Sequence, residues 1–230
     1  MNFEVIDVEL DDGTLAKGIR EIGDAATSPL VVDFGSAKLR HRLKNGADSE
    51  AIVKAVGVKA SVRSDHLIYD FTAGLGTEAF LLARAGFRVV AFERDPAVFQ
   101  LLVDALRRYR RITDLPTIDL EFREGDATGA EIRVNAYAVT IDPMFEDAAT
   151  TVKSLPKKEM ALLRRMLAPS SEQEMTHLFH RARKSAEARV IVKRPHGAAD
   201  LVSTDEAGKR LVPVHRLEGK SARFDIYSCR

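Results

Sequence analysis

Cysteine is almost missing from this chain. The single Cys229 excludes an intramolecular disulfide and any multi-cysteine zinc site, and it fits a reducing cytoplasm. No apolar run approaches the ~20 residues that span a bilayer. The opening MNFEVIDVELDDG is acidic, unlike the basic leader and apolar core of a secretion signal, so neither membrane insertion nor export is expected. Internal repeats and low-complexity segments are absent. His177, His180, His196 and His215 have no spacing that would join them with acids around a metal, and no metal is expected. Charge of one sign is lacking overall, with a formal net of +1.

What remains is an ordinary globular composition, 45% hydrophobic and 30% charged. At 230 residues the chain can hold one good core and a small appendage. The stretch Leu67 to Asp95, LIYDFTAGLGTEAFLLARAGFRVVAFERD, organises it. Leu67 to Tyr69 form a short apolar β run, Gly74 and Gly76 permit a tight turn, and Ala79 to Ala85 supply an apolar helical face that Gly86 ends. Arg88 to Phe92 then reads as a second strand, with Glu93 at its carboxyl end. Strand, glycine turn, helix and acid-tipped strand make the cofactor half of a doubly wound α/β domain, which binds a ligand carrying a ribose.

Gly74-x-Gly76-x-x-Ala79 also satisfies a nicotinamide fingerprint. Asp70, before that turn, argues for another ligand. A carboxylate there repels a pyrophosphate but attracts the sulfonium and ammonium of S-adenosylmethionine (SAM), so SAM is the expected cofactor. A nicotinamide oxidoreductase, or a glycine turn that serves packing alone, stays open on these residues.

Further acids fall at strand ends. Thr117 to Phe122 reads as a strand followed by Glu124-Gly125-Asp126-Ala127, and Tyr137 to Ile141 as one running into Asp142-Pro143-Met144-Phe145. In an open parallel sheet such ends line one crevice, so Asp70 falls near the methionine part, Glu93 on the ribose hydroxyls and Asp126 on the adenine amine. An acid after a strand is also a common turn residue. In the catalytic reading, Asp142 and the Pro143 carbonyl accept the N–H groups of an exocyclic amine while Phe145 stacks on its base. An Asp-Pro turn with a core phenylalanine is the bland alternative. An adenine-N6 enzyme and an RNA-binding protein without catalysis are further ones.

Residues 1–60 lack the strand-helix rhythm and read as a small N-terminal α+β subdomain for substrate docking; residues 61–230 read as the catalytic domain. In the former, Asn2 to Leu10 and Leu30 to Phe34 are strand candidates, and AIVKAVG is a helix closed by Gly57. Lys38, Arg40, Arg42 and Lys44, in a basic loop with His41, are candidates for RNA phosphates, as are Lys157 and Lys158 and the strand-end pair Lys193 and Arg194. Arg107, Arg108, Arg110 and Arg111 form another basic run, as readily a solvated helix face as a nucleic-acid contact. Leu155 to about Ala188 reads as helical, and Ala188 to Lys193, Leu211 to Leu217 and Arg223 to Tyr227 as closing strands.

Together DFTAGLGTEAF, AFERDP, IDPMF, SLPKKEM, VIVKRP and RFDIY, with VDF at Val32 to Phe34 and EAIVKAVG at Glu50 to Gly57, resemble the RsmJ family of bacterial 16S rRNA (guanine-N2) methyltransferases. The likeness runs from about Val31 to Tyr227. It implies a Rossmann-like class I SAM-dependent enzyme with a seven-stranded, mostly parallel sheet, acting in the cytoplasm on 16S rRNA or the small ribosomal subunit. It places cofactor contacts on Thr77, Glu78, Glu93, Arg94, Asp126, Ala127 and Asp142. The segment His41 to Ser49 keeps the basic start of the family's glycine-rich loop and loses glycines.

Overall fold

A computed structural model of the chain describes residues 3–24, 27–142, 162–163, 165–167, 171–201, 203–204, 208–220 and 222–229. The main sheet has seven strands in the spatial order β6 (Leu120–Glu124), β5 (Arg88–Glu93), β4 (Leu67–Asp70), β7 (Ala136–Ile141), β8 (Ala186–Arg194), β10 (Arg223–Ser228) and β9 (His215–Glu218). The pairings β6·β5, β5·β4, β4·β7 and β7·β8 are parallel, while β10 runs antiparallel to both β8 and β9. This is the expected mostly parallel sheet. From β4 the chain winds outward through β5 and β6, then crosses to the other side of β4 for β7 and β8. The winding therefore reverses between β4 and β7, where a doubly wound sheet opens its ligand crevice.

Alternation along the strands fixes what covers each face. Ile68, Val89, Ala91, Leu120, Ala138, Ile191 and Ile226 point to one apolar cluster, and their neighbours Tyr69, Val90, Phe92, Val139, Val190, Val192 and Tyr227 to a second. The first cluster includes residues of α2 (Ala51–Val56), α3 (Thr77–Arg84) and α4 (Pro96–Tyr109); the second includes Met175, Phe179 and Ala182 of α5 (Glu172–Ser185). Helices on both faces explain why the central strands are apolar almost throughout. In α4, Val98, Leu101, Leu102, Ala105 and Leu106 recur at helical spacing and are all buried. Each buried leucine contributes about 1.5–3 kcal/mol. Asp95 caps this helix, accepting the N–H groups of Ala97 (2.9 Å) and Val98 (3.0 Å), and Pro96 opens it. A Ser171–Glu174 capping box starts α5.

The N-terminal segment forms an antiparallel sheet of β1 (Phe3–Glu9), β2 (Leu15–Glu21) and the two-residue β3 (Leu30–Val31). Its core is continuous with that of the main sheet, since Ile19, Leu30, Val32 and Phe34 share a cluster with Phe80, Leu101 and Leu102. A buried ionic group fastens it to α4. Arg108 donates to Asp104 (2.9 Å), to Asp33 (3.1 Å) and to the Val32 carbonyl, while Asp104 also accepts the Lys17 N–H (3.0 Å).

Several boundaries differ from the sequence expectation. The strand expected over Leu30 to Phe34 ends at Val31, because Val32 and Phe34 turn inward. β2 has no strand signal of its own, since Lys17, Gly18 and Arg20 dilute its β propensity. Pairing with β1 makes it a strand, and a Cβ on Gly18 would stand 2.6 Å from Val8. The basic loop is instead a short helix, α1 (Ala37–Arg42), capped by Ser36. The strand expected from Thr117 starts at Leu120, and the one expected from Leu211 starts at His215.

Candidate functional site

The carboxyl ends of β4 and β7 flank the point of reversal, and the sequence ends both in acid. Asp70 closes β4 and Asp142 follows β7. The glycine turn joins β4 to α3. Ala73 N–H donates to the Phe92 carbonyl (2.9 Å) and Gly76 N–H to the Ala73 carbonyl (2.7 Å), which folds the turn back over the sheet end. Gly74 and Gly76 have φ of +52° and +71°. At Gly76 a Cβ would stand 2.8 Å from Leu102, 2.9 Å from Phe34 and 3.1 Å from Phe122, so both conformation and space demand glycine.

Glu93 is buried at the end of β5 and braces the turn. Its carboxylate accepts the N–H groups of Gly74 (2.8 Å) and Asp95 (2.9 Å). Burial raises its pKa, with those two N–H groups opposing. Asp70, 3% exposed, accepts the Thr72 N–H at 3.2 Å. Its pKa is pushed up to about 7, first by burial and then by the charges of Glu78 and Asp142, against the Thr72 N–H.

Asp70, Thr72, Glu78, Asp142 and Lys193 line one narrow cleft, floored by Ile52, Ile141, Ile191 and Phe224. The Lys193 ammonium lies 2.8 Å from Glu78 and 2.7 Å from Asp142. Burial alone would lower its pKa, but Asp142 and Glu78 outweigh burial and hold it above the usual lysine value. The Asp142 N–H donates to the Thr72 hydroxyl at 2.6 Å. The pKa of Asp142 is raised by desolvation and by Glu78, with Lys193 opposing, although 43% of its side chain still meets solvent.

Of the sequence candidates, Asp70, Gly74, Gly76, Thr77, Glu78, Glu93 and Asp142 thus gather around one turn and cleft. Asp126 lies at the surface after β6, accepting the Thr128 N–H (2.8 Å) and hydroxyl (2.7 Å), with Ala127 buried beside it. Arg94 is exposed and 3.8 Å from Glu174. Lys38, Arg40, Arg42 and Lys44 are exposed on or just after α1, where Arg42 pairs with Glu50. Arg194 is buried and donates to the Ala199 carbonyl. Pro143, Phe145, Lys157 and Lys158 lie outside the described residues. Sequence reading missed Thr72, which touches both strand-end acids; its place between Asp70 and Gly74 was the available signal. It also missed the Glu78–Lys193–Asp142 link, because those residues come from three separate elements.

The donor set fits SAM. Asp70 and its neighbouring acids suit a cation, and Glu93, whose oxygens already receive N–H donors, has lone pairs left for ribose hydroxyls. A pyrophosphate beside Asp70 would meet repulsion. Among the described residues, no helix is long and apolar enough to cross a membrane, and no group of three or more His, Cys, Asp or Glu could hold a metal ion.

A family model described as "Putative SAM-dependent methyltransferase" matches residues 7–229. Ribosomal RNA small subunit methyltransferase J of Dechloromonas aromatica is 39% identical, over 97% of this chain and 89% of the relative. The protein of that name from Coxiella burnetii (strain Dugway 5J108-111) is 36% identical, over 91% of this chain and 78% of the relative. Among solved structures, a SAM-dependent methyltransferase of Neisseria gonorrhoeae superposes with a TM-score of 0.60 at 30% identity, covering 92% of this chain and 78% of its own.

Proposed function

The chain belongs to the SAM-dependent methyltransferase family, and from that premise we propose that it methylates N2 of one guanine near the 3′ end of 16S rRNA in the small ribosomal subunit. The observation that carries the reading is the pair of acids on either side of the strand reversal. Asp70 belongs to the cofactor side and Asp142 to the reacting amine. SAM supplies a methyl group activated by a sulfonium, which the attacking amine nitrogen takes as the carbon–sulfur bond breaks toward sulfur.

The protein's part is positioning and charge. Glu93 receives the ribose hydroxyls, Asp70 and Glu78 face the cationic methionine end, and the Gly74–Gly76 turn with Thr77 lets the backbone approach. Arg94, Asp126 and Ala127 border the adenine. Asp142 accepts an N–H of the guanine amine, with the Pro143 carbonyl as second acceptor and Phe145 stacked on the base, presented unstacked from its neighbours. The nitrogen's surplus proton leaves after attack to Asp142 or to water. Residues 1–60 dock the RNA through the exposed side chains of Lys38, Arg40, Arg42 and Lys44, and Lys157 and Lys158 meet phosphates nearby. The protein works in the cytoplasm, where ribosomes are assembled.

The test is mass spectrometry of 16S rRNA from a deletion strain. One guanine near the 3′ end should lose its N2-methyl group, regain it with the wild-type gene and stay unmodified with Asp142→Ala, a variant that still binds SAM in calorimetry. An unchanged rRNA after deletion, or restoration by the variant at full rate, would sink the assignment.

A further inference from the structure

The cleft concentrates acid. Asp70 ends β4, Glu78 stands in the first turn of α3 and Asp142 follows β7, and the cation seated among them is Lys193 near the end of β8. Its ammonium touches Glu78 at 2.8 Å and Asp142 at 2.7 Å, and its side chain is 23% exposed. A lysine so engaged has spent at least two of its three donors inside the protein, which argues against a phosphate contact. The contact to Asp142 is made through Oδ2. With its N–H fixed on the Thr72 hydroxyl and Oδ2 fixed on Lys193, Asp142 has no partner for Oδ1 among the described residues, and that oxygen can accept from a substrate.

We propose that Lys193 is a positioning residue for methyl transfer: braced by Glu78, it orients the Asp142 carboxylate and keeps it ionised, so that one oxygen is presented to the amine. This rests on the role given above to Asp142. An ionised carboxylate only accepts hydrogen bonds, whereas a protonated one would offer its own O–H toward the amine hydrogens. Other charged groups bear on the same carboxylate. Glu78 and Asp70 oppose its ionisation, and Arg42 faces Glu78 from α1.

The test measures the pH dependence of kcat at saturating SAM, with tritiated methyl transfer into small subunits from the deletion strain. Each profile is normalised to its own maximum, so that loss of folded enzyme cancels. Lys193→Met should move the acidic limb up by roughly one to three pH units, the effect of removing an opposite charge at contact distance, with KM for the subunit little changed. Lys193→Arg should return the limb toward the wild-type position. Glu78→Gln, which removes a repelling charge, should move it down. A limb unmoved in Lys193→Met, or a raised KM with an unmoved limb, overturns the proposal in favour of packing or RNA contact. If Asp142→Asn keeps the wild-type rate, the role of Asp142 fails; if that variant is inactive while the Lys193 variants leave the limb in place, only the inference about Lys193 fails.

Discussion

Replacing Asp70 by asparagine keeps the side chain's shape and its acceptor for the Thr72 N–H while removing a buried charge. The folded protein holds the Asp70 proton up to about pH 7, against an ordinary value of 3.8. Its folded pKa is therefore raised. The corresponding stability is fully present below about pH 4 and is lost as pH rises through about 7. Stability differences of a single titrating group change by RT ln 10 per pH unit across that window, so the advantage of Asp70→Asn over wild type should grow by about 3 kcal/mol between pH 5 and pH 8. Titrations common to both proteins cancel in the difference. The chain has no tryptophan, so urea unfolding is best followed by far-ultraviolet circular dichroism at a series of pH values. Saturating SAM should narrow the gap at pH 8, because a ligand at 100 times its Kd stabilises the wild type by about 2.7 kcal/mol and the variant, having lost part of that affinity, gains less. A stability difference that stays flat from pH 5 to pH 8 would refute the reasoning.

Gly76→Ala forces a side chain into a left-handed conformation against Leu102, Phe34 and Phe122. It should lower stability by about 1–3 kcal/mol, seen as a drop in Tm of about 2–4 °C per kcal/mol, and weaken SAM binding in calorimetry. Arg108→Ala removes the guanidinium that joins Asp104 to Asp33 and the Val32 carbonyl, although Asp104 keeps Arg107 and the Lys17 N–H; it should cost about 1–3 kcal/mol in urea unfolding and expose β1 and β2 to limited proteolysis first. Lys38→Glu with Arg40→Glu, both exposed on α1, should raise KM for the small subunit and flatten the salt dependence of binding by roughly 0.7–0.9 for each phosphate no longer neutralised, with SAM affinity unchanged.

Local signals were the legible ones. The unit from Leu67 to Glu93 declares itself because glycines, helical spacing and β-branched runs alternate within thirty residues. Asp70 and Asp142 meet at one cleft because parallel strands bring their carboxyl ends together, whereas Asp126, after β6, lies at the surface on Thr128. Long-range pairing left no such trace. Arg108 sits in a run of arginines that reads as a basic surface, yet it is 6% exposed and satisfied by residues of the N-terminal segment. Lys193 reads as a free strand-end cation until β7 and β8 are known to be neighbours. The same limit hid β2, whose own composition argues against a strand and whose partner β1 supplies the reason for one.

The insertion of β10 between β8 and β9 has a consequence for biosynthesis. β10 follows the other described strands in sequence yet is interior to the sheet, with Asp225, Ile226 and Tyr227 almost wholly buried. A nascent chain that has already wound β4 through β8 keeps one side of β8 unpaired, an open template for stray strands, until Arg223–Ser228 emerges to fill it. Lys193 and Arg194 pair with Phe224 and Arg223 in that register, so the lysine end of the cleft is among the last parts to be framed. Pairing of β10 with β8 thus completes the interior of the main sheet and, through Phe224, one wall of the cleft together.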